Sequence, residues 1–279
     1  MKIYDCFSYW DEDLLVDLRL NILDKDVDYF VIVEGNKTWQ NNSKNLQFDI
    51  EKFKKFKDKI IYIPVEDMPD GDNPWIRENF QRNCITRGLK NSGEDDLIII
   101  SDADEIPNLN NIKNYIKDKR YAVFKQKAFY YKLNMKNVTL PDWYGSRICK
   151  KRYLKSPQWL RNVKNKKYPI YRLDILFSDK KYNNVHIVHN GGWHFTNVMS
   201  EEKIIYKLKS YLHHADFPEN LLNKETFQEL IKQKKIMYDH SVDKSGDRFS
   251  NRKELSIFEN NLLPEYLQKN LKKFKEWLV

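Results

Sequence analysis

Cysteine is scarce in this chain, and long apolar runs are missing from it. The 279 residues include three cysteines, Cys6, Cys84 and Cys149, which lie far apart and match neither a disulfide framework nor a zinc-site spacing. No apolar run approaches the roughly 18 residues that a membrane-spanning helix needs. The first residues, MKIYDCFSYWDEDLL, carry no apolar signal core ahead of their acids. The sequence therefore predicts a soluble, cytoplasmic protein.

The charge balance is basic, with 49 lysines and arginines against 40 aspartates and glutamates and a formal net charge of +9. Such an excess suits nucleic acid, anionic membranes or phosphate-bearing substrates. The lysines are scattered along amphipathic stretches such as EKFKKFKDK and LKKFKEWL, as on solvated helix faces. We therefore predict no nucleic-acid partner, and the basic last helix leaves peripheral contact with a membrane open.

Strand and helix patterns alternate in the first half of the chain. Helices are predicted between apolar, strand-like runs at residues 2–9, 29–35, 60–65 and 97–100. This pattern predicts an α/β fold with a Rossmann-like mixed sheet flanked by helices. Residues 134–179 look irregular, 186–195 resemble a further strand, and helical patterns at 201–214, 224–238 and 264–279 predict a C-terminal helical extension. No linker is evident, so we expect a single integrated domain.

An acid cluster follows the last of these apolar runs, in DLIIISDADEIP at residues 96–107. In open α/β sheets, ligands bind at the carboxyl ends of the strands. Asp102 and Asp104, in a D-x-D arrangement, offer hard oxygen ligands for Mn²⁺ or Mg²⁺, and such a cation can hold the phosphates of a nucleotide. The alternative is an acidic helix start that Asp104 caps, with Pro107 in its first turn.

Further candidates lie on other elements. Arg82 has a planar fork that suits a base, ribose or phosphate, or it belongs to a surface ion-pair ladder. In HNGGWHF, His194 is a candidate metal ligand beside Trp193, unless the glycines simply form a turn with an aromatic core anchor. Glu202, at a predicted helix start, is a candidate catalytic base or an ordinary N-terminal charge. Trp143 is a candidate platform for an acceptor or a core residue.

Several separated motifs resemble glycosyltransferase family 17 in the same order. They are DLLVDLRLNILDKDVDYFVIVEGNKT, DDLIIISDADEIP, GGWHF, SEEKIIYKLKSYLHHADFP and YLQKNLKKF. The resemblance implies a GT-A type glycosyltransferase fold and an inverting reaction that uses UDP-GlcNAc and a divalent cation, usually Mn²⁺. Asp102 and Asp104 match the metal motif of the family, and Arg82, Trp193, His194 and Glu202 fall on matching positions.

The resemblance also implies roles for particular residues. Glu34 lies where related enzymes hold the base or ribose, so Glu34, Arg82 and Asp102 are expected to contact the nucleotide sugar. Asp102, Asp104 and His194 are expected to hold the metal, and Glu202 to act as the base. Trp143 and Trp193 are expected to contact the acceptor.

The expected organisation has three parts. Residues 1–107 form a nucleotide-sugar half, 108–215 an acceptor half and 216–279 the helical extension. The irregular stretch at 134–179 is expected to set acceptor choice. The chain lacks the membrane anchor and lumenal stem of the animal enzymes, which predicts a bacterial or viral origin.

The predicted function is transfer of a sugar, GlcNAc by resemblance, from a UDP donor to a hydroxyl of a glycan, polysaccharide or glycolipid. Two alternatives stay open. One is a metal-dependent nucleotidyltransferase or phosphohydrolase using the same acids, and the other is a non-catalytic glycan- or nucleic-acid-binding protein.

Overall fold

A computed structural model describes most of the chain in two compact units. The described residues are 1–110, 112, 119–140, 142–166, 168–169, 171–182, 185–210, 217–238, 249 and 252–279. The first unit comprises Met1–Gln126 and Tyr144–Gly192, and the second comprises Lys127–Trp143 and Trp193–Val279. The predicted divisions at 107/108 and 215/216 stay predictions, and the compact units divide the chain elsewhere.

The strands form a mixed sheet arrangement. They are β1 (Ile3–Ser8), β2 (Tyr29–Gly35), β3 (Ile60–Val65), β4 (Leu97–Asp102), β5 (Glu105–Pro107), β6 (Tyr121–Tyr130), β7 (Met135–Asn137), β8 (Asp142–Lys150), β9 (Val185–Val188), β10 (Gly192–Thr196) and β11 (Leu255–Ile257). In the first unit β4, β1, β2 and β3 lie side by side in that order and run parallel. Strand β8 pairs antiparallel with the other side of β4. The predicted α/β class, with a mixed sheet flanked by helices, is confirmed.

Within the described residues, the α-helices are mostly short. They are α1 (Asp13–Leu23), α2 (Pro74–Asn83), α3 (Pro157–Asn162), α4 (Glu201–Ser210), α5 (Lys224–Gln233) and α6 (Glu265–Lys269). The two longest 3₁₀ segments of the described chain are Ile50–Lys59, before β3, and Cys84–Leu89, directly after α2. The Asn73 side chain caps α2 by accepting from the Trp75 amide, and Pro74 occupies the first turn, which explains where α2 begins.

The parallel strands are buried on both faces. Val31, Ile32, Ile98 and Ile100 are completely inaccessible to solvent, as expected for strands covered by helices on each side. All three cysteines are unpaired and buried in the first unit. Burial raises the pKa of each thiol. This packed sheet is the rigid base from which the loops at the carboxyl ends of the strands project.

The second unit has its own core. The second half of β6 pairs parallel with β10, and β7 pairs antiparallel with β11. Helices α4 and α5 cover this core through Ile204, Leu208, Phe227 and Leu230. Residues 216–279 therefore contain a strand, β11, as well as the predicted helices. The predicted last helix is reduced to α6 and a 3₁₀ turn at Lys275–Trp277. Residues 211–214 of another predicted helix lie outside the described residues.

The prediction that residues 134–179 are irregular was wrong, because this stretch holds β8 and α3. Strand β8 has the sequence DWYGSRICK, in which glycine, serine and arginine interrupt the apolar pattern that marks a strand. It forms because β4 offers an open edge, with Ile100 opposite Arg147 and Ile98 opposite Cys149. Tertiary pairing overrides the weak local signal here.

Candidate active site

The carboxyl ends of β1, β2 and β4 meet at one edge of the parallel sheet in the first unit. The register pairs Ser8 with Asp102, so the segment that follows β1 starts beside the acid cluster. The chain turns at Ala103 and Asp104 and continues into β5 at Glu105. The predicted acid cluster is therefore a strand end followed by a tight turn, and the alternative of an acidic helix start is wrong.

A buried ion pair supports this turn from the core side. Asp5 and Arg19 are both fully buried, and the Asp5 carboxylate accepts from Arg19 Nη2 and Nε, each at 2.6 Å. Arg19 Nη1 also donates to the backbone oxygens of Asp102, at 3.1 Å, and Glu105, at 2.6 Å. A single guanidinium thus links strand β1, helix α1 and both ends of the turn. We infer that Arg19 sets the backbone path of the D-x-D segment.

Glu105 and Arg161 close the turn on its other side. The fully buried Glu105 carboxylate accepts from Arg161 Nη1 and Nη2, both at 2.8 Å, and from the Asp102 amide at 3.1 Å. Arg161 Nη2 also donates to Asp102 Oδ2 at 2.8 Å. Burial acts to lower the pKa of Arg161, but the charges of Asp102 and Glu105 outweigh it and raise that pKa. Arg161 is therefore a permanent cation at this site.

Arg82 approaches Asp102 from helix α2. Its Nη2 donates to Asp102 Oδ1 at 3.0 Å and to Glu78 Oε1 at 2.7 Å, and its Nη1 donates to Gln158 Oε1. Its Nε is buried and has no hydrogen-bond partner in the described part of the chain. The side chain is 7% exposed, so the alternative of a surface ion-pair ladder does not hold for Arg82. Each oxygen of Asp102 thus accepts from a different arginine.

A third arginine lies next to this pair on strand β8. Arg147 is half-buried and donates to backbone oxygens, to Gly145 at 2.8 Å and Val163 at 3.2 Å. Burial, followed by the charge of Arg161, lowers the pKa of Arg147 to about 9. When a guanidinium is buried beside another cation, an anion that binds next to it stabilises its protonated form. The end of β4 is thus bordered by the cations Arg82, Arg147 and Arg161.

The fit to a divalent cation depends on the acids of the turn. Asp102 is partly exposed, with 39% of its side chain accessible, and Asp104 is half-buried. Carboxylate oxygens are the ligands that Mn²⁺ and Mg²⁺ prefer, so the donor chemistry fits. Among the described residues, no three His, Cys, Asp or Glu side chains cluster closely enough to hold a metal ion. Metal binding by Asp102, Asp104 and His194 stays a prediction.

Glu34, the predicted donor contact at the end of β2, is fully buried and accepts four hydrogen bonds. The donors are the Lys44 ammonium, the amides of Gln47 and Phe48 at 2.8 and 2.9 Å, and the Tyr62 hydroxyl at 3.0 Å. Four donors match the lone-pair capacity of a carboxylate. In this structure Glu34 therefore fastens the loop after β2 to the sheet, and its contact with a donor stays a prediction.

Two tryptophans lie at the same edge of the sheet. Trp10 follows β1 and Trp39 follows β2, and their ring centroids are 5.8 Å apart at an interplanar angle of 39°. The ammonium of Lys44 lies 5.5 Å from the centroid of Trp10. Both rings are partly exposed. A partly exposed aromatic ring at such a place can stack on a nucleotide base.

The predicted aromatic and histidine residues of the second unit form a cluster of their own. The His194 ring stacks on Trp143 at 4.7 Å and 24°, and Thr196 Oγ1 lies 3.2 Å from His194 Nε2. Trp143 is 39% exposed. The indole nitrogen of Trp193 is buried and has no hydrogen-bond partner among the described residues. Acceptor contact by Trp143 and Trp193 stays a prediction.

The glycines of HNGGWHF serve protein packing. Gly192 has φ +121°, and a Cβ there would lie 2.1 Å from the Ile106 carbonyl oxygen. A Cβ on Gly191 would lie 2.7 Å from the Lys125 amide nitrogen. A side chain at either position would thus clash with the backbone of β5 or β6 within the first unit, which is why glycine is needed at both.

Comparison with known proteins identifies the family. The family model described as "Glycosyltransferase family 17" matches residues 1–278. The chain belongs to glycosyltransferase family 17. It is similar to the β-1,4-mannosyl-glycoprotein 4-β-N-acetylglucosaminyltransferases of rat, at 25% identity, and mouse, at 24%, over 94% of this chain and 51% of each relative. This family 17 chain thus spans about half the length of the curated relatives it matches. These relatives are mammalian and give no support to the predicted bacterial or viral origin.

A solved structure assigned as a glucose-1-phosphate thymidylyltransferase of Bacillus anthracis is a weaker match. It covers 68% of this family 17 chain and 87% of its own, with a TM-score of 0.35 and 10% sequence identity. A similarity at that level says nothing about function. Within the described residues, no helix is both long and apolar enough to cross a membrane.

Sequence reasoning missed several residues of this family 17 site. Arg161 and Glu105 were not predicted as site residues because they pair with each other across 56 positions of the sequence. Arg147 was not predicted because its strand lacks a clear apolar pattern. A signal existed for Asp5 and Arg19. Asp5 is the one charge in the apolar segment IYDCFS, and Arg19 lies four residues after Leu15 and four before Leu23, on the apolar face of its helix. A charge in such a place must be paired if it is buried.

Glu202, the predicted base, lies at the start of α4 with 58% of its side chain exposed. Its carboxylate accepts from the Lys224 ammonium at 2.5 Å. Hydrogen bonds from Lys224, from its own amide and from Ser200 lower the pKa of Glu202 to about 2. Base catalysis by Glu202 stays a prediction, and in this ion pair the carboxylate is a weak base.

We expect Glu202→Gln to lower turnover by less than about tenfold, because the lowered pKa makes the Glu202 carboxylate a weak base. Losing a true general base would cost about 10²-fold or more. The measurement is steady-state release of UDP from UDP-GlcNAc with an acceptor. Lys224→Met is the matched control, since it removes the ion pair and keeps the carboxylate. A fall of about 10²-fold for Glu202→Gln with little change for Lys224→Met would identify Glu202 as the base after all.

Proposed function

We propose that this family 17 chain transfers a sugar, GlcNAc in the first instance, from a UDP donor to a glycan hydroxyl with inversion at the anomeric carbon. The observation that carries the proposal is the strand end at Asp102, which arginines border on several sides. Family membership and the N-acetylglucosaminyltransferase names of the relatives support the choice of reaction and sugar. The acceptor belongs to the class of glycans, polysaccharides and glycolipids.

The arginine cluster suits a diphosphate. Arg147 hydrogen-bonds to carbonyl oxygens, and Arg82 keeps a buried Nε without a partner in the described chain. Guanidinium forks recognise phosphate oxygens in two-point contacts. The Trp10–Trp39 pair at the neighbouring strand ends supplies a surface on which the uracil base can stack. These groups together match the base and the two phosphates of a UDP donor.

Asp102 and Asp104 are the residues proposed to hold Mn²⁺ or Mg²⁺. We assign both acids as ligands of the metal, and Asp102, whose two oxygens also accept from Arg82 and Arg161, fixes the turn as well. A cation bound there supplies Lewis-acid stabilisation of the diphosphate charge. The predictions that His194 is a third ligand and that Glu34 contacts the donor are kept.

The proposed reaction is a single displacement. A carboxylate takes the proton of the acceptor hydroxyl, whose oxygen attacks the anomeric carbon opposite the leaving group. The bond from that carbon to the β-phosphate oxygen breaks, and UDP departs with the bonding electron pair. Arg147 and Arg161 stabilise the negative charge that grows on the leaving diphosphate. Glu202 and Asp142 are the acids to test as base, and Trp143 and Trp193 are the proposed acceptor contacts.

We also propose a cytoplasmic location for the reaction. The three cysteines are buried and unpaired, which supports a reducing compartment.

The assignment is tested by product analysis with a panel of nucleotide sugars. A sugar transferase releases UDP, and it consumes UDP-GlcNAc faster when an acceptor glycan and Mn²⁺ are present. Release of UMP or pyrophosphate would instead support a nucleotidyltransferase or phosphohydrolase. Binding of a glycan with no turnover of any donor would support a non-catalytic binding protein.

Arg147→Met is expected to weaken UDP binding by about tenfold or more, because a hydrogen bond to a charged group contributes about 1.5–3 kcal/mol. The measurement is titration calorimetry with UDP, with and without Mn²⁺. Arg152→Met is the matched control, since Arg152 is exposed and pairs with Asp95. Equal UDP affinity in both variants and the unaltered protein would remove Arg147 from the donor site.

A further inference from the structure

Four large apolar side chains project from one loop of the first unit. Tyr171, Leu173, Leu176 and Phe177 are 83%, 69%, 78% and 90% exposed. Among the large hydrophobic residues that the structure describes, these four are the most exposed. Exposed apolar clusters of this kind mark sites of contact with a membrane or a partner, because apolar area is unfavourable in water unless another surface covers it.

The loop has a defined neck. The Lys164 amide donates to the Lys180 carbonyl oxygen at 2.9 Å, and the indole nitrogen of Trp159 donates to the Asp179 carbonyl oxygen at 2.8 Å. The chain therefore leaves the body of the unit and returns to it at nearly the same point, as in an Ω-loop. The Trp159 side chain is buried, so the neck is anchored in the core of the unit.

The tip of the loop is held in a 3₁₀ turn over Leu173–Ile175. The Leu176 amide donates to the Leu173 carbonyl at 3.0 Å, and the Ser178 amide donates to the Ile175 carbonyl at 3.2 Å. Ile175, by contrast, is buried, with 7% of it exposed. The turn thus buries one apolar side chain and presents its neighbours outward.

Basic residues surround this tip. Between positions 164 and 182 the sequence has six lysines and arginines and two aspartates. Asp174 pairs with Arg172 and Lys181, each at 2.8 Å, so its negative charge is compensated within the loop. Lys164 and Lys166, near the neck, are exposed. The loop therefore combines an apolar tip with a positively charged base.

We propose that residues 171–177 form a docking loop that inserts Tyr171, Leu173, Leu176 and Phe177 into the interface of an anionic lipid bilayer. Apolar and aromatic side chains favour the boundary between headgroups and acyl chains, and nearby lysines are attracted to anionic headgroups. A second protein chain is the less suitable occupant, because stable protein interfaces need a broader complementary surface than one loop tip offers.

The test is sedimentation of the full chain with vesicles of phosphatidylcholine and phosphatidylglycerol, and with vesicles of phosphatidylcholine alone. We expect binding to the anionic vesicles that falls as salt rises. The double variant Leu176→Ser, Phe177→Ser is expected to bind about 10²-fold more weakly, because each buried apolar side chain contributes at least about tenfold. Lys164→Gln with Lys166→Gln is expected to reduce binding to the anionic vesicles by about fivefold per lysine.

Leu262→Ser is the matched control, because Leu262 is 53% exposed and lies in the second unit. It should leave vesicle binding unchanged. UDP affinity and thermal unfolding, measured on every variant, should stay as in the unaltered protein, which separates this inference from the proposed function. Three results would overturn the inference: no vesicle binding by the unaltered chain, equal binding by the Leu176→Ser, Phe177→Ser variant, or equal binding to vesicles without anionic lipid. A dimer that this variant dissociates, with no vesicle binding, would assign the loop to a second copy instead.

Discussion

Arg19→Met is expected to lower the free energy of unfolding by about 3–5 kcal/mol, because it leaves the buried Asp5 carboxylate without a counter-charge. The same change removes the donor to the carbonyl oxygens of Asp102 and Glu105. Two effects therefore coincide: the fold loses stability, and the turn that carries the acids loses its support. Urea denaturation followed by circular dichroism measures the first effect.

A double-mutant cycle shows whether the ion pair is responsible. Asp5→Leu alone should be as damaging as Arg19→Met alone, since each leaves one buried charge. The combination of Asp5→Leu and Arg19→Met should be less damaging than the sum, because no buried charge remains. Simple additivity would contradict the assigned coupling. UDP affinity of the double variant then reports whether the turn needs the arginine even when the fold is stable.

Asp104→Asn is expected to lower turnover by about 10²–10³-fold, the range found when one electrostatic stabiliser of a developing charge is removed. Asp104 is half-buried in a turn, so the substitution should leave the fold intact. The informative measurement is UDP release across a titration of Mn²⁺. The unaltered chain should respond to the metal, and Asp104→Asn should not.

Asp72→Asn is the control for this experiment. Asp72 is exposed in the loop before α2 and has no part in the proposed site. It should show the full response to Mn²⁺. If Asp104→Asn also responds fully, Asp104 is not the metal ligand. If it binds Mn²⁺ normally and loses turnover, the carboxylate acts on the sugar or acceptor.

The parallel strands and the acid turn were predictable because local signals coincide there. The run of isoleucines before Asp102 is long, β-branched and buried on both faces, and the acids interrupt it at once. The competing interpretation, a helix start capped by Asp104, is ruled out by the turn and the strand β5 that follow. The turn at Ala103 and Asp104 needs no distant partner to be recognised.

The surroundings of that turn were not predictable from local patterns. Arg161 pairs with acids that lie more than fifty positions earlier in the chain. Strand β8, which carries Arg147, depends on the edge of β4 for its existence. Glu34 illustrates the converse problem. Its position at a strand end suggested a ligand contact, whereas its four hydrogen bonds come from the protein itself.

Two predictions concern the stretch at 134–179. The prediction that it is irregular throughout is wrong, and the prediction that it sets acceptor choice stays a prediction. The stretch contains strand β8, whose register follows from pairing that no single segment reveals. Its last part is a loop whose apolar residues would look like core positions in a sequence, and only their exposure in the structure separates them from the core.

The cysteines make the protein convenient for site-specific chemistry. Because Cys6, Cys84 and Cys149 are buried and their thiols resist ionisation, maleimide reagents should leave the unmodified chain untouched. A single cysteine placed at a chosen surface position would then accept a fluorophore or spin label without any background substitution. Distance and polarity measurements on this family 17 chain can therefore start from its natural sequence.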